Sequence, residues 1–192
     1  MRNLRETFRR DDVGPIIRRL FINTLFDSTF MLLGIVVGVA FSTEVSVRVV
    51  LVTMVTSSLA LGISTGVSVY EAESLEREKR LAELESALFM DLKGTKIEKS
   101  ARAIILLTVM INFLTPLISC AVAIAPFIFT ALNLLEIRVA SWISAALVLG
   151  ILFFAGIYLG KLGKKNPWIK GLRMVVFGLA AFTIGYLLNN LI

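Results

Sequence analysis

The feature that most constrains this chain is where its charges are missing. Residues 49–70 carry none, and neither do 103–135, 139–160 and 174–192. Residues 28–43 are also uncharged, and that run extends back through Leu20 if Asp27 is tolerated within it. A helix needs about 20 apolar residues to cross roughly 30 Å of hydrocarbon. Inside that layer every backbone donor and acceptor must be satisfied within the protein, which for runs of this length means helices. Hydrophobic residues make up 57% of the chain and the mean hydropathy is +0.84. A water-soluble domain would have to expose the excess. The reading is an all-α integral membrane protein, one membrane domain over residues 1–192 with five transmembrane helices. The 33-residue window 103–135 is too long for one straight span and too short for two with a loop. It reads as one span, broken at Pro116, that continues through Pro126 into an interfacial segment.

Arginine and lysine then set the topology, because cytosolic connections carry the excess of them. The N-terminal segment holds Arg2, Arg5, Arg9, Arg10, Arg18 and Arg19. The second connection holds Arg77, Lys79, Arg80, Lys93, Lys96, Lys99 and Arg102, and the fourth holds Lys161, Lys164, Lys165, Lys170 and Arg173. The first and third have only Arg48 and Arg138, a division of 18 against 2. The expectation is a cytosolic N-terminus and a C-terminus outside or in a lumen. The net charge of +6 is thus a topology signal and not a nucleic-acid one. The first twenty residues lack the short apolar core and small-residue cleavage site of a secretory signal.

Two segments are expected outside the bilayer. Residues 1–19 form an amphipathic cytosolic N-terminus, with "RRDDVGPIIRRLF" lying at the interface. Residues 71–102 form an acidic helix and linker, in which "EAESLEREKRLAELESALFMDL" extends the second span into the cytosol and "KGTK" ends the helix.

Asp27 is the only ionisable residue well inside a span. Asp27, Met31, Gly34 and Gly38 follow spacings of 4, 3 and 4 and so share one helical face. That face offers a carboxylate, a thioether and two gaps for a neighbouring backbone. It suits a cation or proton site; the alternative is an interfacial Asp that caps the helix or pairs with Arg18 or Arg19. In "INFLTP", Pro116 removes the N–H that would bond the Asn112 carbonyl. The Asn112 amide and the Thr115 hydroxyl add oxygens there. Broken helices with free carbonyls hold cations in transporters, though a proline kink used for packing reads equally well. Ser58, Gly62 and Gly66 form one small-residue stripe on the second span, and Ala60, Ser64 and Ser68 another. Both read as packing faces, as do Gly156/Gly160 and Gly178/Gly185, and so many small faces point to a homodimer. Glu73, Glu76, Glu83 and Met90 fall on one face of the acidic helix. That face either collects divalent cations or is a solvated, salt-laced surface supported by Glu73–Arg77 and Glu76–Arg80 pairs.

With no histidine and one cysteine, Cys120, no Ser–His or Cys–His catalytic pair exists and a zinc-enzyme site is disfavoured. No prosthetic group and no enzymatic activity are expected. The remaining oxygen and thioether ligands suit Fe²⁺, Mn²⁺ or similar cations.

These motifs together resemble the vacuolar iron transporter family. Its first span runs from Asp-Gly to a closing Ala-Gly; "DSTFMLLGIVVG" has Asp27 and Gly38 at that separation, with Ser28 for the glycine. Its second span carries an element similar to "SSLALG" (57–62), then small residues and an acidic cytosolic helix, similar to "STGVSVYEAESLERE". "ALFMDLKGT", "NFLTP" and "APFIF" resemble the helix end and third-span elements of prokaryotic members. The likeness covers residues 26–130. It implies a dimeric transporter that moves Fe²⁺ or Mn²⁺ out of the cytosol in exchange for protons. It also implies a path through a first-span Asp, matched by Asp27, and a second-span Met, replaced here by Leu61. Asn112 stands where prokaryotic members often have Asp, and the metal-binding insertion of larger members is cut to one helix and a short linker. The competing expectation is a non-transporting membrane scaffold whose acidic helix docks a soluble partner.

Overall fold

The structure, a computed structural model, describes residues 13–42, 45–91 and 95–191. Arg2, Arg5, Arg9, Arg10 and Lys93, whose charges bear on topology, lie outside the described residues, as do Gly94 of "KGTK" and Ile192. Among the described residues there are five helices and no strand: α1 (Val13–Phe41), α2 (Val47–Leu88), α3 (Lys96–Ala131), α4 (Ile137–Leu162) and α5 (Pro167–Leu191). All five are long and apolar enough to cross a membrane.

The chain passes from its arginine-bearing start into the apolar run without a break. α1 begins at Val13 and carries Arg18 and Arg19 in the same helix as Asp27. Pro15 is accommodated because it lies in the first turn, where backbone N–H groups have no intrahelical acceptor. α2 has 42 residues, roughly 63 Å at 1.5 Å per residue, about twice the hydrocarbon thickness.

Two sequence expectations need correction here. The third apolar window is not broken at Pro116: α3 continues for 36 residues with Pro116 and Pro126 both inside it. Each proline deletes one ladder bond, Pro116 at the Asn112 carbonyl and Pro126 at the Val122 carbonyl. The acidic helix also does not run to "KGTK". It stops at Leu88, where Phe89 turns left-handed with φ 51° and the Met90 N–H closes onto the Glu85 carbonyl at 3.4 Å. This bond, from the second residue past the end back to the last full turn, is the Schellman closure. α3 and α4 end the same way, with Asn133 at φ 59° and Lys164 at φ 50°. Met90 therefore lies beyond the helix and does not share its glutamate face.

The helices divide between two compact units. The first takes in the chain up to Thr24 together with Leu61–Thr115; the second is Leu25–Ala60 with Pro116–Ile192. In the first, Ile17 and Ile104 form a small apolar cluster. There α2 and α3 approach closely at Gly62, where a Cβ would stand 2.8 Å from the Phe113 carbonyl oxygen. The larger core is in the second unit, around Leu32, Val36, Met54, Phe127 and Val148. α4 and α5 cross there through small residues. A Cβ on Gly156 would meet Gly171 Cα at 2.7 Å, and one on Gly160 would meet Pro167 Cα at 2.5 Å. Contact of this kind is how helices associate in lipid, where apolar burial alone provides little drive. An aromatic group of Phe41, Trp142, Phe182 and Tyr186 packs at ring separations of 4.6–6.0 Å.

Candidate functional site

In the first unit the polar centre is Asn112. Its side chain is fully buried, and both ends of its amide are engaged. Thr24 Oγ1 on α1 donates to Oδ1 at 2.7 Å, and Nδ2 donates to the Thr108 carbonyl at 2.8 Å. Pro116 leaves the Asn112 carbonyl without its usual intrahelical donor. Thr65 Oγ1 on α2 stands 3.4 Å from that carbonyl and 2.9 Å from the Leu61 carbonyl, so its single proton is shared. Four oxygens thus gather where α1, α2 and α3 meet: Asn112 Oδ1, the Asn112 carbonyl, Thr24 Oγ1 and Thr65 Oγ1. Thr115, also buried, donates back to the Ile111 carbonyl at 2.7 Å.

In the second unit, α1 turns two different faces to its surroundings. Ser28 and Thr29 are buried. Ser28 Oγ lies 3.0 Å from the Leu25 carbonyl and 3.2 Å from Ser119 Oγ on α3. Thr29 donates to the Leu25 carbonyl. Further along, Ser144 donates to the Ala123 carbonyl at 2.6 Å, and the Cys120 thiol lies 3.5 Å from the Met54 carbonyl. The other face carries Asp27, Gly34 and Gly38, all exposed in the isolated chain. A Cβ placed on Gly34 or Gly38 would meet nothing within 4 Å. Met31 departs from that face: it is half-buried and packs against the apolar core. Asp27 is the fifteenth residue of α1 and so does not cap the helix.

Asp27 and Met31 therefore belong to one unit, and Asn112 and Thr115 to the other. On α2, Gly62 and Gly66 pack against Phe113 and Ser58 is buried, whereas Ala60, Ser64 and Ser68 are exposed. Glu73 is half-buried and sits 3.8 Å from Arg77, whereas Glu76, Glu83 and Met90 are exposed. Among the described residues no three of Asp, Glu and Cys gather as a metal-holding group.

Sequence reasoning missed Thr24, Thr65, Thr108, Ser28 and Ser119. A signal for most of them was present. Thr108, Asn112, Thr115 and Ser119 follow spacings of 4, 3 and 4 along α3, and Thr24 and Ser28 are four apart on α1. These are polar stripes at the helical repeat inside uncharged windows.

The chain is 26% identical over 175 residues to an uncharacterized protein of the archaeon Methanocaldococcus jannaschii, a match spanning 90% of this chain and 88% of that protein. No family model matches the chain, and no solved structure matches it. The similarity to that archaeal protein thus extends over nearly the whole length of this chain, including the stretches that form its apolar helices.

Proposed function

We propose that this chain is a membrane transporter that exports a divalent cation of the Fe²⁺ or Mn²⁺ kind from the cytosol in exchange for protons, working as a homodimer. The observation that carries this reading is the outward face of α1, where Asp27 lies within an apolar helix above the bare backbone of Gly34 and Gly38. A carboxyl group set against lipid is costly, and such groups face protein or a water-filled path. A second copy packed along the two glycines would supply that wall. Asp27 then holds a proton when the cation leaves and gives it up when the cation binds. The N-terminus is cytosolic in this reading, and α2 beyond Tyr70 extends into the cytosol, where Glu73, Glu76 and Glu83 raise the local cation concentration.

The test is metal flux in proteoliposomes. Purified protein with an imposed proton gradient should move Mn²⁺ in the direction opposite to the protons, with no flux when the gradient is collapsed. Absence of divalent-cation movement under either condition would remove the transport reading. It would leave the alternative favoured by the exposed Leu75 and Leu84 on the acidic stretch of α2: a membrane scaffold that docks a soluble partner there.

A further inference from the structure

The first unit contains a cavity of about 570 Å³ between α2 and α3. Its position is informative. The uncharged run of α2 ends at Tyr70 and that of α3 begins at residue 103, and residues from both sides of both boundaries line the cavity. On two helices at once it stands where apolar surface gives way to charge, the level at which a bilayer presents its headgroups.

The lining carries two cations and two anions, Arg77 and Glu78 from α2 and Glu98 and Arg102 from α3. Arg102 pairs with Glu98 at 2.6 Å, but its side chain is 79% exposed and offers further donors of its fork. Arg77 is the opposite case, only 14% exposed, with Glu73 at 3.8 Å. Guanidinium groups bind phosphate in bidentate fashion. A purely anionic group would be repelled by Glu78 and Glu98 in the same space; one that also carries an ammonium would use them. Toward the uncharged side the wall becomes Tyr70 and Leu106, both exposed, Leu106 by 64%. That flank suits an acyl or isoprenoid chain and is of no use to a small soluble ion. The volume lies within the range of roughly 300–1,000 Å³ typical of small-molecule sites.

We infer that this cavity binds the headgroup of a phospholipid bearing an ammonium, with phosphate on Arg77 and Arg102, ammonium on Glu78 and Glu98, and the chain descending over Tyr70 and Leu106. The inference rests on the membrane-spanning reading and is independent of any cargo. Native mass spectrometry of the full chain in detergent tests it, with ethanolamine- and glycerol-headgroup phospholipids of identical chains supplied in equal amounts. The wild type should retain the ethanolamine lipid about 10-fold over the glycerol lipid, the size expected from one or two charge-assisted hydrogen bonds. Arg102→Gln, at a side chain exposed enough for the fold to tolerate it, should lower total retention about 10-fold on the same basis. Glu78→Gln combined with Glu98→Gln should reverse the preference, so that the glycerol lipid is retained over the ethanolamine lipid. Equal retention of both lipids by the wild type, or unchanged retention in these variants, overturns the inference. Competition by soluble phosphoethanolamine as effective as by the lipid overturns the lipid assignment. A chain that retains the lipid but moves no cation leaves this site standing and removes only the transport reading.

Discussion

Asn112 and Asp27 are both strongly polar residues inside apolar helices, yet the protein treats them in opposite ways. Asn112 is enclosed by its own chain, with its amide joined to Thr24 and Thr108. Asp27 is turned outward on a face that also holds Gly34 and Gly38. The first arrangement makes a polar group part of the scaffold, because a buried amide with satisfied partners ties helices together. The second leaves the group on a face that the chain itself does not bury. Burial, not polarity, separates the two.

Removing the Asp27 charge should give the largest functional effect. Asp27→Asn keeps size and hydrogen bonding but cannot exchange a proton for a cation. Proton-coupled Mn²⁺ flux is expected to fall to background while the protein still assembles. Normal flux in this variant would break the contrast, since Asp27 would then be as structural as Asn112.

Asn112 should behave in the reverse manner. Asn112→Ala strips partners from Thr24 and from the Thr108 carbonyl in a buried setting. It is expected to cost about 2 kcal/mol of stability, read as unfolding in detergent. A cycle with Thr24→Val should return a coupling of about 0.6 kcal/mol, the average for hydrogen bonds between membrane helices. A stable Asn112→Ala protein that loses transport would instead place Asn112 with Asp27.

Glycines sharpen the same comparison. Gly62→Ala would set a Cβ 2.8 Å from the Phe113 carbonyl oxygen, and this overpacking against backbone should cost about 1–3 kcal/mol. At Gly34 and Gly38 there is open space, so Gly34→Leu with Gly38→Leu should leave the monomer's stability within about 0.5 kcal/mol. The same change should shift the dimer toward monomer in light scattering. Loss of monomer stability there would mean the face is covered by the chain itself.

The smallest effect is expected on α2. Replacing the exposed Glu76 and Glu83 by Gln should raise the metal concentration needed for half-maximal flux by a few-fold, about 1 kcal/mol or less for exposed charges, without changing the maximal rate. An unchanged dependence on metal concentration returns these residues to a solvated surface.

Much of this could be read along the chain, for a physical reason. The free energy of placing a segment in lipid sums over that segment's own residues, so five spans follow from charge-free windows without any knowledge of neighbours. Helical periodicity is equally local: it places Gly62 with Gly66 and Asp27 with Gly34 and Gly38. Local rules erred where the outcome depended on what lies across a helix interface. Pro116 reads as a break because proline deletes a backbone bond, but α3 continues as a helix past it. Met31 reads as a ligand beside Asp27 because of its spacing, but the apolar core takes it. The sequence alone determined which stretches are long apolar helices and which residues recur at the helical repeat within them. Only the tertiary structure decided which faces turn inward, and so that Asn112 is bound by Thr24 from 88 residues away while Asp27 is left on the outside. That choice depends on contacts between segments far apart in the chain, which no local rule of hydropathy or spacing contains.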